Sequence, residues 1–192
     1  MNPSDRIVHS LRALAALAEQ ASSLAPQVAK VAARYAATLK AGGTLFFAGN
    51  GGSAADAQHL ATEYVVRYRV RRQPMAAAAL TTDTSLLTAA GNDLGFDQVF
   101  ARQVEALCRP GDLLVLHSTS GESSNLLQAA RAARAKGVPV VAFLGRGGGA
   151  LAGLVDEAIV VASEDTSHIQ EVQLALEHAI VELVEETVND ER

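Results

Sequence analysis

Apolar positions along the chain alternate between short continuous runs and longer stretches with a helical repeat. Residues 44–48 (TLFFA), 76–80, 112–117 (DLLVLH), 138–144 (VPVVAFL) and part of 155–162 are short, apolar and bounded by polar residues, glycine or proline, which predicts five buried strands. The stretches between them predict helices. Ile7, Leu11, Leu14 and Leu17 share one face over residues 4–21, where Ser4 or Asp5 can cap. Val28, Val31, Tyr35 and Leu39 share a face of a second helix, opened by Pro26 and closed by Gly42 and Gly43. Further helices are expected at about 54–68, from 81 to Gly91 with Asn92 and Asp93 in the turn beyond, at 96–107, from Ser123 to Lys136, and at 165–189. Strands alternating with helices imply an α/β fold in which a parallel sheet is covered on both faces and ligands bind beyond the strands' C-terminal ends. Without linker or repeat, a single domain is expected. Two helices before the first strand exceed what one sheet face needs, so residues 1–42 read as an arm for packing against another subunit.

Two strands run into loops suited to anions. After the first comes GNGGS, in which Gly49, Gly51 and Gly52 allow positive φ and close approach, while the Ser53 hydroxyl can N-cap the next helix. Strand, glycine turn and helix start together form a phosphate site, although such a turn also occurs in α/β proteins without one. A later strand delivers Ser118, Thr119, Ser120 and Ser123, more hydroxyls than one cap requires. On the helix after GNGGS, His59 and Glu63 are four apart and share a face. That spacing suits a shared metal ion or substrate, and equally a plain intrahelical pair. Gln170 and His178 stand on the last helix, about 12 Å apart along its axis and about 80° around it. Asn92 and Asp93 read as turn residues that could also bond sugar hydroxyls. Arg67, Arg69, Arg71 and Arg72 read as a solvated cluster at a helix C-terminus, and His9, His117 and His168 as structural histidines, His117 bordering the serine loop.

A net charge of -5 gives no bulk attraction to nucleic acid or to an anionic membrane, so an anion must be held locally and neither partner is expected. The single cysteine, Cys108, excludes an intrachain disulfide and a cysteine-based zinc cluster and fits a reducing compartment. Neither a secretory signal pattern nor a membrane-spanning run is present, so a cytoplasmic location is expected.

Taken in order, GNGGS (49–53), HLATE (59–63), GND (91–93), STSGES (118–123) and IQE followed by His178 resemble the phosphoheptose isomerase family of single SIS (sugar isomerase) domains, over nearly the whole chain. The resemblance implies a flavodoxin-like three-layer sandwich around a five-stranded parallel sheet, assembled as a homotetramer with active sites between subunits. It implies conversion of sedoheptulose 7-phosphate to D-glycero-D-manno-heptose 7-phosphate through an enediol, the first step of nucleotide-activated heptose synthesis. Carried over by motif, Asn50, Gly51, Gly52, Ser53, Asn92 and Asp93 match substrate contacts, and Ser118, Thr119, Ser120 and Ser123 match the phosphate loop. His59, Glu63, Gln170 and His178 match the ligands of one zinc ion per subunit. Glu63 and Gln170 are also expected to contact substrate, and Glu63 and His178 match the acid/base pair. Glu122, where the family commonly has Asn, and His117, where apolar or aromatic residues are usual, depart from the pattern. The competing expectations are an isomerase of another phosphosugar, or a non-catalytic SIS protein of the kind associated with the bacterial replication initiator. The latter resembles this chain in length and in its GNG-S and Q-E motifs but lacks counterparts of Glu63 and His178.

Overall fold

The computed structural model describes residues 1–189. The five strands are β1 (Leu45–Gly49), β2 (Ala77–Ala79), β3 (Leu113–Ser118), β4 (Val140–Leu144) and β5 (Glu157–Val160). All neighbours pair in parallel, in the order β2-β1-β3-β4-β5, the flavodoxin-like arrangement. The three central strands are buried along their whole length, which is why they read as unbroken apolar runs. Their side chains still alternate between faces. Leu45, Phe47, Leu113, Val115, Val141 and Phe143 enter one core; Phe46, Ala48, Leu114, Leu116, Ala142 and Leu144 enter the other. The sheet edges are the short β2 and β5, which limits the unpaired backbone exposed there.

The first face is covered by α2 (Ala25–Lys40), α3 (Gly52–Val65) and α7 (Thr166–Asn189), the second by α4 (Thr84–Asp93), α5 (Ala101–Leu107) and α6 (Ser124–Ala135). Of the two N-terminal helices expected as an arm, α2 belongs to this cover, with Val31 and Tyr35 fully buried. Only α1 (Pro3–Ala21) lies outside it. That helix seats Leu17 and Ala21 against Ile169 and Val172 and leaves Ile7, Val8 and Leu11 exposed. Its cap is Asn2, whose side chain accepts from the Asp5 N–H at 2.8 Å, in place of the expected Ser4 or Asp5. Among the described residues no helix is long and apolar enough to cross a membrane.

Candidate active site

β1 and β3 lie side by side with Gly49 opposite His117, so the turn after one and the loop after the other open at the same C-terminal end of the sheet. A cavity of about 330 Å³ lies there, at the switch point where this fold places ligands. Residues 50–53 line it from one side and Ser118, Thr119, Ser120 and Ser123 from the other, with His117, Thr166 and Gln170 completing the wall.

The backbone builds much of this cavity. Gly51 takes φ 56° and ψ -120° and is itself the N-cap of α3, so Ser53, expected as the cap, falls inside the helix and is buried. Gln170 packs over Gly52, where an added Cβ would meet the Gln170 Nε2 at 2.4 Å. Asn50 and Asn125 exchange amide hydrogen bonds of 2.9 and 2.8 Å, locking the β1 turn to the start of α6. Ser118 Oγ accepts from the Gly121 N–H at 3.0 Å and Ser120 Oγ from the Glu122 N–H at 3.2 Å, so these two oxygens shape the loop. The starts of α3 and α6 carry no side-chain cap bond, whereas Asn2, Asp83 and Asp165 bond backbone N–H groups at the starts of α1, α4 and α7. Two helix starts without such a bond, at one cavity, leave their first amides and the positive ends of their dipoles to a ligand. Glu122 accepts from the Ala150 N–H at 2.7 Å and does not line the cavity, so its negative charge is tied to the segment after β4.

Farther along α3 and α7 a second group forms. His59 Nε2 lies 2.9 Å from His178 Nε2 and 3.5 Å from Glu63 Oε1. Ligand atoms of His59, Glu63 and His178 all fall within 4.8 Å of one another. The donor set of two imidazole nitrogens and one carboxylate oxygen fits a zinc-class cation. The Tyr68 ring stacks on His178 at 5.4 Å and 13°. Burial, and then the charge of His59, push the His178 imidazole below its ordinary pKa against the opposing carboxylates of Glu63, Glu177 and Asp56. Asp56, one turn before His59, is pushed up by burial, with His117, His59 and His178 opposing. Low proton affinity on His178 suits an imidazole that must be neutral to bind a cation or to accept a proton.

Gln170 is placed with the cavity, its Nε2 3.4 Å from Ser53 Oγ. Asn92 and Asp93 form the last turn of α4 rather than a loop, because Asp83 caps that helix and it runs past Gly91. They bond each other at 2.7 Å, are exposed, and belong to neither the cavity nor the His/Glu group.

The arginine cluster is not uniformly solvated. The Arg72 side chain is buried, pairs with Glu185 at 2.8 Å and donates to the carbonyls of Glu63, Tyr64 and Gln73, because α3 stops at Val65, short of the expected Tyr68, and its last carbonyls need donors. Asn125, Tyr68 and Asp56 escaped sequence reasoning as well. Only Asp56 carries a signal in the sequence, three residues before His59 and on the same face of its helix.

The SIS domain family model matches residues 10–145 of the chain. A phosphoheptose isomerase from Roseiflexus is 50% identical over 167 residues, covering 87% of this chain and 85% of that one. The chain belongs to the phosphoheptose isomerase family of SIS-domain proteins. Solved structures of family members agree. The Neisseria gonorrhoeae phosphoheptose isomerase superposes with a TM-score of 0.92 at 39% identity, covering 96% of this chain and all of that one. The Francisella tularensis phosphoheptose isomerase gives 0.94 at 32%, covering 97% of this chain and again all of that one.

Proposed function

We propose that this protein is an aldose-ketose isomerase that interconverts sedoheptulose 7-phosphate and D-glycero-D-manno-heptose 7-phosphate, the opening step of nucleotide-activated heptose synthesis. One observation carries the reading. The anion cavity and the His/Glu group occupy successive stretches of the same two helices, with Ser53 and His59 about 9 Å apart along α3. A sugar held by its phosphate in the cavity lays its carbonyl end toward Glu63 and His178.

The phosphate is bound by the hydroxyls of Ser118, Thr119, Ser120 and Ser123 and by the first amides of α3 and α6. Anchoring that remote group orients the reacting end, so binding energy is used at the chemistry. With the open-chain sugar in place, the Glu63 carboxylate removes the proton from the carbon beside the carbonyl and returns it to the neighbouring carbon, while His178 moves the proton between the two oxygens. Residues 50–53 and Gln170, which line the cavity, are assigned to the sugar hydroxyls; Asn92 and Asp93, exposed and outside the cavity of their own chain, would contact a sugar only at a site shared between subunits. His59, Glu63 and His178 would hold one zinc ion, which would supply a Lewis acid at the carbonyl; Gln170, whose side chain lies at the cavity, would join them as fourth ligand only by turning toward that group. A homotetramer with sites between subunits is supported by the exposed Ile7, Val8 and Leu11 of α1. A reducing, cytoplasmic setting is supported by the free, buried Cys108, whose thiol burial and then Asp112 push up to about 12.

The deciding experiment is a coupled assay with sedoheptulose 7-phosphate, alongside fructose 6-phosphate and ribulose 5-phosphate. Turnover of the heptulose alone is the expected result; preferential turnover of either control moves the assignment to another phosphosugar, and inactivity on all three sinks the isomerase reading.

A further inference from the structure

The core between the sheet and α7 contains a polar island that the isomerase chemistry does not use. Glu177 is fully buried, and its Oε1 is bonded by the Tyr35 hydroxyl at 3.2 Å and lies 3.1 Å from His117 Nε2. Five buried polar atoms in the same region have no partner among the described residues: Tyr64 Oη, His117 Nδ1, Glu177 Oε2, and both Nε2 and Oε1 of Gln173. Their residues adjoin through α7 or through a shared aromatic ring. Gln173 and Glu177 are four apart on α7 and share its inner face. Tyr35, Tyr64 and His117 surround one ring, that of Phe47, with centroids at 6.3, 5.8 and 6.3 Å. Burial, and then the nearby Glu177 carboxylate, push the Tyr64 hydroxyl above its ordinary pKa.

Buried polar atoms in folded proteins are almost always hydrogen-bonded, and leaving one without a partner costs free energy. Five in one region form a mixed set: two certain donors in the Tyr64 hydroxyl and the Gln173 amide, two acceptors in Gln173 Oε1 and Glu177 Oε2, and a ring nitrogen able to act as either. A water molecule both donates and accepts and makes about three hydrogen bonds when buried, so it matches the set as no single ion does.

We propose that Tyr64, His117, Gln173 and Glu177 enclose an internal water site, holding at least one ordered water bonded to the Tyr64 hydroxyl and to one or more of the other groups. The site lies beneath both halves of the catalytic region, since His117 precedes Ser118 of the cavity and Glu177 precedes His178. It stands independently of the isomerase reading.

Two measurements test it. A crystal structure at about 1.5 Å should show water density within hydrogen-bond distance of Tyr64 Oη and of at least one other of the five atoms. Direct side-chain bonds satisfying the set, or an empty space, would overturn the proposal. The second is thermal unfolding of Tyr64→Phe. If the hydroxyl is bonded to an internal water, its removal lowers Tm by about 2–4 °C, the shift expected for one lost hydrogen bond in a chain of this size. If the hydroxyl is an orphan, removing it leaves Tm unchanged or raises it, and the water site is refuted.

Discussion

The cavity between β1 and β3 and the group formed by His59, Glu63 and His178 are built from different materials. The cavity is made of backbone and short side chains: helix starts without side-chain caps, a glycine at positive φ, hydroxyls on a tight loop, and the reciprocal Asn50–Asn125 bonds. The His/Glu group is made of side chains on the flanks of two helices, with His59 exposed and Glu63 and His178 half-buried. A backbone site gives up little freedom on binding and makes many weak, redundant contacts. A side-chain site concentrates its chemistry in a few atoms whose proton affinities the surroundings can tune. Substitutions should therefore separate the two, with turnover collapsing in one and affinity eroding in the other.

The largest effect belongs to the side-chain group. Glu63→Gln or His178→Ala should lower kcat by about 10³-fold or more, in the upper part of the range for one acid/base group because each serves in two roles. Affinity for the sugar phosphate, read by calorimetry on the inactive variant, should stay within a few-fold of wild type. Loss of binding in parallel with kcat would erase the distinction between the halves. Metal removal comes next. Chelation should suppress turnover and zinc should restore it, while His59→Ala should require more added zinc for half-maximal activity, without a change in the oligomer measured by sedimentation.

The cavity was more legible in the sequence than the group beside it. GNGGS and STSGES advertise themselves because backbone function demands particular residue types in tandem. Their partner strands read clearly because burial on both faces leaves unbroken apolar runs such as LLVL. His59 and Glu63 gave only a spacing, which an ordinary helix pair shares, and their union with His178 depends on how α3 packs against α7. No local pattern encodes that packing. The same limit hid Arg72, which reads as one of four surface arginines until the early end of α3 and the position of Glu185 are known. Ser53 was misread for a different reason: a glycine at φ 56° took the cap position, and cap preference alone does not tell Ser53 from Gly51.

Smaller and opposite in kind is the effect of the loop. Ser120→Ala should raise KM for the sugar phosphate by about 3–10-fold, less than the full worth of one hydrogen bond to a charged group because the neighbouring contacts are redundant, with kcat nearly unchanged. Gly52→Ala should go further, because the new methyl group displaces the Gln170 amide that packs there. If either variant lost kcat and kept KM, the loop would be taking part in the proton transfers and the division of labour would fail.

The smallest change in catalysis, per folded molecule, should come from the clamp that joins the ends of α3 and α7. Burial alone would raise the Glu185 carboxyl, but the N–H groups of Tyr68, Arg69 and Val70 and the Arg72 guanidinium outweigh it and hold the group below its ordinary value. A carboxyl depressed in the folded state contributes stability that is complete above its unfolded pKa and is lost as pH falls through the folded one. Glu185→Gln should therefore be less stable than wild type at neutral pH, with the gap narrowing as pH drops below the ordinary Glu range. Arg72→Met, which leaves the buried carboxylate without its counter-charge, should cost about 3–5 kcal/mol at neutral pH. Denaturant titrations of the three proteins at several pH values measure this directly. A gap that stayed constant across the acid range would mean that shape, and not charge, holds the clamp.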